Sequence, residues 1–191
     1  LLAIANFFAY ITRYAMIDWG PLYLKEVKGA TLSEGGVAVL LLEWGGIPST
    51  IFLGWVSDKM GGRRGMIAAL CMIPIIAAYA AIYLMPSGHI NFDMAMLVVI
   101  GFFIYPVINL ITIIALDLTS KKAIGTAAGF IGLLGYLGRT THAKGFGSVL
   151  KHYKDVYDVP TAWNIVIALT LISTIVAFVL LLFTWKVKPR A

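Results

Sequence analysis

Three basic side chains lie where a hydrocarbon core has no use for them: Arg13, Arg139 and Lys144, each inside a long apolar stretch. Asp18 and Glu43 are acidic counterparts in similar surroundings, and His142 is a neighbour able to titrate. A charge at mid-bilayer costs about 2.5–3.5 kcal/mol on insertion scales, so each group needs a reason to be there. Arg13 offers one. A guanidinium is a planar fork of donors that matches two phosphate oxygens and keeps its proton. Helical spacing puts Asn6, Tyr10 and Gly20 on the face of Arg13, a polar stripe with an aromatic beside the fork, which suits an oxyanion. The alternative is an arginine neutralised by Asp18 or Glu43 for packing alone.

A second stripe runs through Tyr136, Thr140 and Lys144, spaced four residues apart, with Arg139 three residues after Tyr136. Lys144 either lines a pathway or snorkels to water. Arg139 has helix-packing and lipid-headgroup roles equally open to it, and His142 reads first as a hydrogen-bonded packing histidine. Three positive and two negative groups leave a basic surplus inside the apolar stretches. A phosphomonoester, carrying about −1.5 to −2 at neutral pH, gains from such a surplus where a neutral sugar gains little.

The elements that hold these residues follow from composition. Of 191 residues, 60% are hydrophobic and only 13% charged, with a mean hydropathy of +0.90. A soluble domain carries about 25% charged and 45–50% apolar residues, so this chain belongs in a bilayer. Six apolar stretches, 1–24, 35–57, 65–86, 92–116, 123–150 and 161–185, are each long enough to cross a core of roughly 30 Å as a helix. The expected fold is all-α, a polytopic membrane protein of six transmembrane helices. Short connections leave no room for a soluble catalytic, nucleic-acid-binding or secreted module. The third and sixth stretches contain no charged residue or histidine and read as scaffold, so the first, second and fifth should face a cavity. Pro21 and Pro48 should bend or break their helices, Gly125, Gly129 and Gly132 should allow close packing, and Trp19, Trp55 and Trp185 should join aromatic belts.

Cys71 stands alone, which excludes an internal disulfide and a cysteine-built metal site. No Walker-type loop, His-Glu-x-x-His or Gly-x-Ser-x-Gly pattern is present, so neither a metal nor a cofactor nor an enzymatic reaction is expected. Residues 58–64, 117–122 and the tail (Lys186, Lys188, Arg190) concentrate the basic connections, whereas Lys25, Lys28, Lys151 and Lys154 on the opposite side are balanced by Glu26, Glu34, Asp155 and Asp158. By the positive-inside rule both ends are cytoplasmic, in the inner membrane of a cell. Because Leu1 already lies in an apolar span, the chain is expected to be the second part of a larger transporter.

Several ordered motifs carry a resemblance: Arg13-Tyr-Ala-Met-Ile-Asp18-Trp19-Gly-Pro21 through Lys28, Glu43-Trp-Gly-Gly-Ile-Pro48, Gly54-Trp-Val-Ser-Asp58-Lys59, Lys121-Lys122-Ala-Ile-Gly125 through Phe130, and Gly135-Tyr136-Leu-Gly138. With these the chain resembles the C-terminal half of the organophosphate:phosphate antiporters, a branch of the major facilitator superfamily. The resemblance implies six helices of a twelve-helix fold. An N-terminal six-helix half would be the partner, and a phosphorylated small molecule would exchange for inorganic phosphate by rocking of the halves. Arg13 matches an arginine that binds substrate phosphate and Tyr10 a tyrosine beside it, with Asn6 expected to help orient the guest. Asp18 and Glu43 match acidic residues that pair with the other half and are read as gates, the alternative being a plain pair within this half. Gly54 to Arg64 resembles a cytoplasmic loop motif in which Asp58 pairs with Arg63 or Arg64 to hold that side closed.

The sequence also departs from the family. Arg139 stands where a small residue is usual, and Tyr105-Pro106-Val107 interrupts a more usual Tyr-Gly-Pro. Lys144 is similar to a lysine of the hexose-6-phosphate branch, although Thr140 replaces an acidic residue there, and the remaining polar outline resembles the glycerol-3-phosphate branch. Lys144, with Arg139, is expected to shape the remote end of the substrate, which puts hexose 6-phosphate slightly ahead of glycerol 3-phosphate. The other reading is a transporter-like membrane sensor of sugar phosphates that signals to a partner kinase.

Overall fold

A computed structural model describes residues 1–86 and 88–187; Lys188 and Arg190 of the basic tail lie outside the described residues. Among these, the chain is helical throughout: α1 (Leu2–Lys28), α2 (Leu32–Lys59), α3 (Arg64–Leu84), α4 (Ile90–Asp117), a 3₁₀ turn (Lys121–Ala123), α5 (Ile124–Thr140), a π turn (Thr141–Phe146), α6 (Gly147–Val156) and α7 (Val159–Leu182). The backbone stays in the right-handed helical region on both sides of the π turn, so α5, the turn and α6 form one rod. That makes six crossings. Four helices, α2, α3, α4 and α7, are each long and apolar enough to cross a membrane. The remaining two crossings carry the exceptions: α1 bears Arg13 and Asp18, and the fifth is split by the π turn that contains Lys144.

Both α1 and α2 run unbroken through their prolines, so neither helix breaks there. Each proline removes only one backbone donor, and Pro21 sits packed against Gly35 at the crossing of α1 and α2.

Helix α4 packs between α2 and α3, α1 packs against α4, α5 and α7, and α3 meets α7 behind them. The charge-free membrane portions of α3 and α7 thus back the helices that carry the ionisable groups. Buried hydroxyls pin this layer: Tyr79 of α3 donates to the Thr12 carbonyl at 2.6 Å, and the Thr12 and Thr174 hydroxyls lie 3.0 Å apart.

The glycines that permit close approach are not the expected ones. A Cβ on Gly125, Gly129 or Gly132 would meet nothing within 4 Å, whereas one on Gly138 would collide with the Phe7 backbone and one on Gly135 with Asn6 and Tyr10. The α1–α5 crossing therefore lies a turn or two further along the chain than expected. Trp19 stacks edge-to-face on Trp163 at 6.5 Å, half-buried, with its indole nitrogen enclosed, and so packs against the core from the side.

At one end of the bundle, Lys28 is buried. It donates to the Met85 and Pro86 carbonyls at 2.9 and 3.1 Å and pairs with Asp93 at 3.1 Å. Its place among solvent-facing connection charges is thereby corrected. A buried ammonium is tolerable because three oxygens, two carbonyls and a carboxylate, surround it within hydrogen-bond reach. Nearby, Glu26 accepts hydrogen bonds from Lys154 and from the Trp163 indole, tying α1 to α6 and α7. Burial pushes the Glu26 carboxyl upward, but those two hydrogen bonds, together with the Lys154 and Lys25 charges, hold the group below the usual range. At the opposite end, Arg64 bridges Asp58 at 3.3 Å and Asp117, joining the α2–α3 connection to the end of α4.

Candidate functional site

Arg13 stands near the middle of α1 and makes one side-chain hydrogen bond among the described residues, from Nη2 to the Tyr105 hydroxyl at 2.7 Å. Tyr105 in turn donates to Glu43, which leaves Glu43 3.9 Å from the guanidinium. The ring of Tyr105 lies against the fork as well, 4.1 Å from Arg13 Cζ to its centroid. Gly46 on α2 makes room for that ring, since a Cβ there would overlap it. Three helices therefore build the relay Arg13–Tyr105–Glu43, in which a neutral hydroxyl stands between the charges. Arg13 is partly buried against α4, and its ion pair with Glu43 is long, with the Tyr105 hydroxyl bonded to both groups. One of its five N–H donors is engaged, and its side chain keeps 20% exposure.

The second ionic pair is direct. Arg139 on α5 holds Asp18 on α1 through Nη2 at 2.9 Å and Nε at 3.3 Å. Tyr14 lies between the two arginines, 4.2 Å from Arg139 and 5.1 Å from Arg13. It continues an aromatic wall in which Tyr10 meets both Tyr14 and Tyr136 at 5.6 Å. Asp18 and Glu43 thus each have a basic partner inside this half, as the alternative reading of the sequence allowed.

The second stripe is more open. Tyr136 is 57% exposed, and Thr140 and Lys144 are exposed too, the Thr140 hydroxyl bonding back to the Tyr136 carbonyl at 3.0 Å. Lys144 lies in the π turn, whose wider winding shifts it off the i+8 meridian of Tyr136. It forms no ion pair among the described residues.

Asn6 moves away from the expected role. It is buried, and its amide donates to the Ile131 carbonyl at 2.9 Å, so it clamps α1 to α5 instead of facing a guest. His142 is also buried, edge-on to Phe146, and neither ring nitrogen has a hydrogen-bond partner. The bonded packing histidine expected from the sequence is replaced by an unbonded one. Arg64 is the partner of Asp58; Arg63 is not paired with it among the described residues.

Three contributors were missed in the sequence: Tyr105, Tyr14 and the Lys28–Asp93 pair. Tyr10, Tyr14 and Asp18 repeat at i, i+4 and i+8, which was the available signal for Tyr14. Asp93 in an apolar stretch was a signal of the same kind as Asp18. Counting it with buried Lys28 gives four cations and three carboxylates, arranged as Arg13–Glu43, Arg139–Asp18 and Lys28–Asp93. The surplus charge is Lys144.

Six crossings around buried ionic and aromatic relays define a multi-pass α-helical membrane protein. Residues 1–141 match the Major Facilitator Superfamily, and the chain belongs to it. It is 38% identical over 191 residues to the glycerol-3-phosphate transporter of Bacillus subtilis, covering 100% of this chain and 41% of that protein. It is 35% identical over 191 residues to a protein of Chlamydia pneumoniae named "probable hexose phosphate transport protein", covering 99% and 40%. The chain thus spans about two fifths of the length of these curated relatives. The fold matches a bacterial homolog of the human lysosomal transporter Spinster, crystallised in an inward-facing and occupied conformation. The TM-score is 0.67 at 15% identity, over 96% of this chain and 48% of that one. The chain therefore has the architecture of one half of a major-facilitator fold.

Proposed function

We propose that this chain is the C-terminal half of a secondary transporter that exchanges a phosphorylated small molecule for inorganic phosphate by alternating access. Its partner would be an N-terminal six-helix half, and its site an inner membrane with both ends of the segment cytoplasmic. The observation that carries the proposal is the state of Arg13: mid-span, partly open, and held from Glu43 by the Tyr105 hydroxyl. A doubly charged phosphate offers a guanidinium two charge-assisted acceptors where the relay offers one neutral oxygen. Arg13 would hold the phosphate, with Tyr10 and Tyr136 forming the wall beside it. Asn6 would position α1 against α5 without touching the guest. Lys144, which forms no ion pair among the described residues, would draw the anion in and favour its bound state, with Thr140 beside it. Asp18 with Arg139, and Asp58 with Arg64, would act as ionic latches that exchange partners as the halves rock. Arg63 would contribute positive-inside charge. Switching requires only that the loaded protein favour the closed state over either open one.

The relatives named above support a phosphate ester as substrate. The testing experiment is Arg13→Lys in the complete protein reconstituted in vesicles, which keeps the charge and removes the fork. Phosphate self-exchange should fall by about two orders of magnitude, in line with loss of a charge-assisted pair in a dry site. Undiminished exchange rejects the assignment. Tight binding of the ester by wild-type protein without any exchange would identify a sensor instead.

A further inference from the structure

We propose that a second, uncharged subsite between α2 and α4 receives the hydroxyl-bearing end of the substrate, with Asn109 as its specificity-determining side chain. This rests on the assignment of phosphate to Arg13. A cavity of about 200 Å³ opens there, lined by Thr50, Gly54, Pro106, Asn109 and Thr112 among others. It continues the Arg13 relay along the same helix faces. Tyr105 and Asn109 are four residues apart on α4, and Glu43 and Thr50 seven apart on α2, so both pairs stack on the seam where Tyr105 meets Glu43. The cavity lies on the side of Arg13 toward the Asp58–Arg64 connection, offset by one to two turns, about 6–10 Å.

The chemistry of the lining points to hydroxyls. No charged residue borders the cavity. The Thr50 and Thr112 hydroxyls donate to the Gly46 and Ile108 carbonyls, at 2.8 and 3.1 Å, which leaves their oxygens free to accept. Asn109 is exposed, and its amide makes no hydrogen bond among the described residues. An amide carries donors and an acceptor together, the pattern a sugar hydroxyl matches from both sides. Left facing acyl chains it would be an amide with no partner, the costly case in a membrane. The offset also selects by length. With the phosphate on Arg13, a six-carbon sugar ester reaches Asn109, whereas a three-carbon ester ends near Tyr105. Lys144, a point charge at the other side of Arg13, offers a neutral polyol no comparable gain.

The experiment measures dissociation constants of glucose 6-phosphate and of inorganic phosphate on the purified full-length protein by titration calorimetry. That readout serves a transporter and a sensor alike. In Asn109→Leu, which keeps the side chain's size, the ratio of the sugar-ester constant to the phosphate constant should rise about tenfold, the value of one or two lost hydrogen bonds in a site built for them. Thr50→Val should raise it in the same direction by a smaller factor, and Asn109→Gln should recover part of the loss. A ratio that stays within about twofold of wild type in both Asn109→Leu and Thr50→Val overturns the subsite, as does a parallel weakening of both ligands, the mark of a packing role at the seam with the other half. If Asn109→Leu does not insert, Thr50→Val decides alone. Failure of the phosphate assignment is separable, because Arg13→Lys would then leave phosphate binding intact whatever the ratio.

Discussion

Tyr105 decides whether Arg13 is an occupied or an available cation. Its hydroxyl accepts from Arg13 and donates to Glu43, which keeps the two charges 3.9 Å apart. In Tyr105→Phe both lose their polar neighbour, and the shortest remedy is a direct Arg13–Glu43 pair. A guest must then displace a charge-assisted partner in place of a neutral one. Phosphate affinity should fall about 3–10-fold, and Glu43→Gln added to Tyr105→Phe should restore most of it. If the two substitutions simply add, the relay carries no coupling. The sequence showed Arg13, from its place in an apolar stretch, as a cation in need of a partner, either a guest or a carboxylate. It did not show what stands beside it. Tyr105 lies 92 residues away on α4, and only tertiary packing brings the ring under the guanidinium.

Among the helices, the crossing of α1 and α5 carries a direct geometric demand, because it sets Tyr10 against Tyr136 and Arg139 against Asp18. Gly138 sits directly on the Phe7 backbone, which cannot yield as a side-chain tip would. Gly138→Ala should therefore lower stability by about 1–3 kcal/mol, the usual cost of overpacking, and weaken phosphate binding with it. Gly129→Ala, in open space, should do neither; thermal unfolding of the purified protein separates them. The buried Lys28–Asp93 pair makes a second claim on the element scale. Asp93→Asn leaves an ammonium buried without its counter-charge, and about 3 kcal/mol should be lost, whereas Lys28→Met with Asp93→Leu should recover most of it. An unfolding temperature in Asp93→Asn equal to wild type would remove the pair from the set of stabilising contacts. Helix existence was plain from long apolar runs, because in lipid every backbone group must bond within its own helix. Contact faces were not. Gly125, Gly129 and Gly132 fit the packing pattern as well as Gly135 and Gly138 do, and nothing local distinguishes which set meets α1. The π turn was equally hidden, since one extra residue per turn leaves no mark in composition.

For the whole molecule, the ionic groups sort by end. The start of α1, the end of α4, the start of α5 and the residues after α7 line one shared cavity, so the connections bearing Arg63, Arg64, Lys121 and Lys122 lie at one end with Lys186. At the other end, Lys28 is consumed by Asp93 and Lys154 by Glu26, leaving Lys25 and Lys151 as unpaired basic residues among those described. Arg64 is paired at the first end, which leaves Lys59, Arg63, Lys121, Lys122 and Lys186 there against Lys25 and Lys151 among the described residues, so the asymmetry in Lys and Arg without an ion pair keeps the sign it has in the sequence. Met60 and Val156 are exposed at opposite ends, 44% and 59% accessible, while the single Cys71 is buried at 3% and should not react. With the complete protein in intact cells, a membrane-impermeant maleimide should label Val156→Cys at once. Met60→Cys should label only after the membrane is opened, and protein without either substitution, any cysteines outside this chain having first been replaced by serine, should stay blank under both conditions. Labelling in the reverse order would invert the orientation and, with it, the side on which the Asp58–Arg64 latch and the Asn109 cavity open; labelling of both sites in intact cells would mean that the segment between them does not cross the membrane an odd number of times.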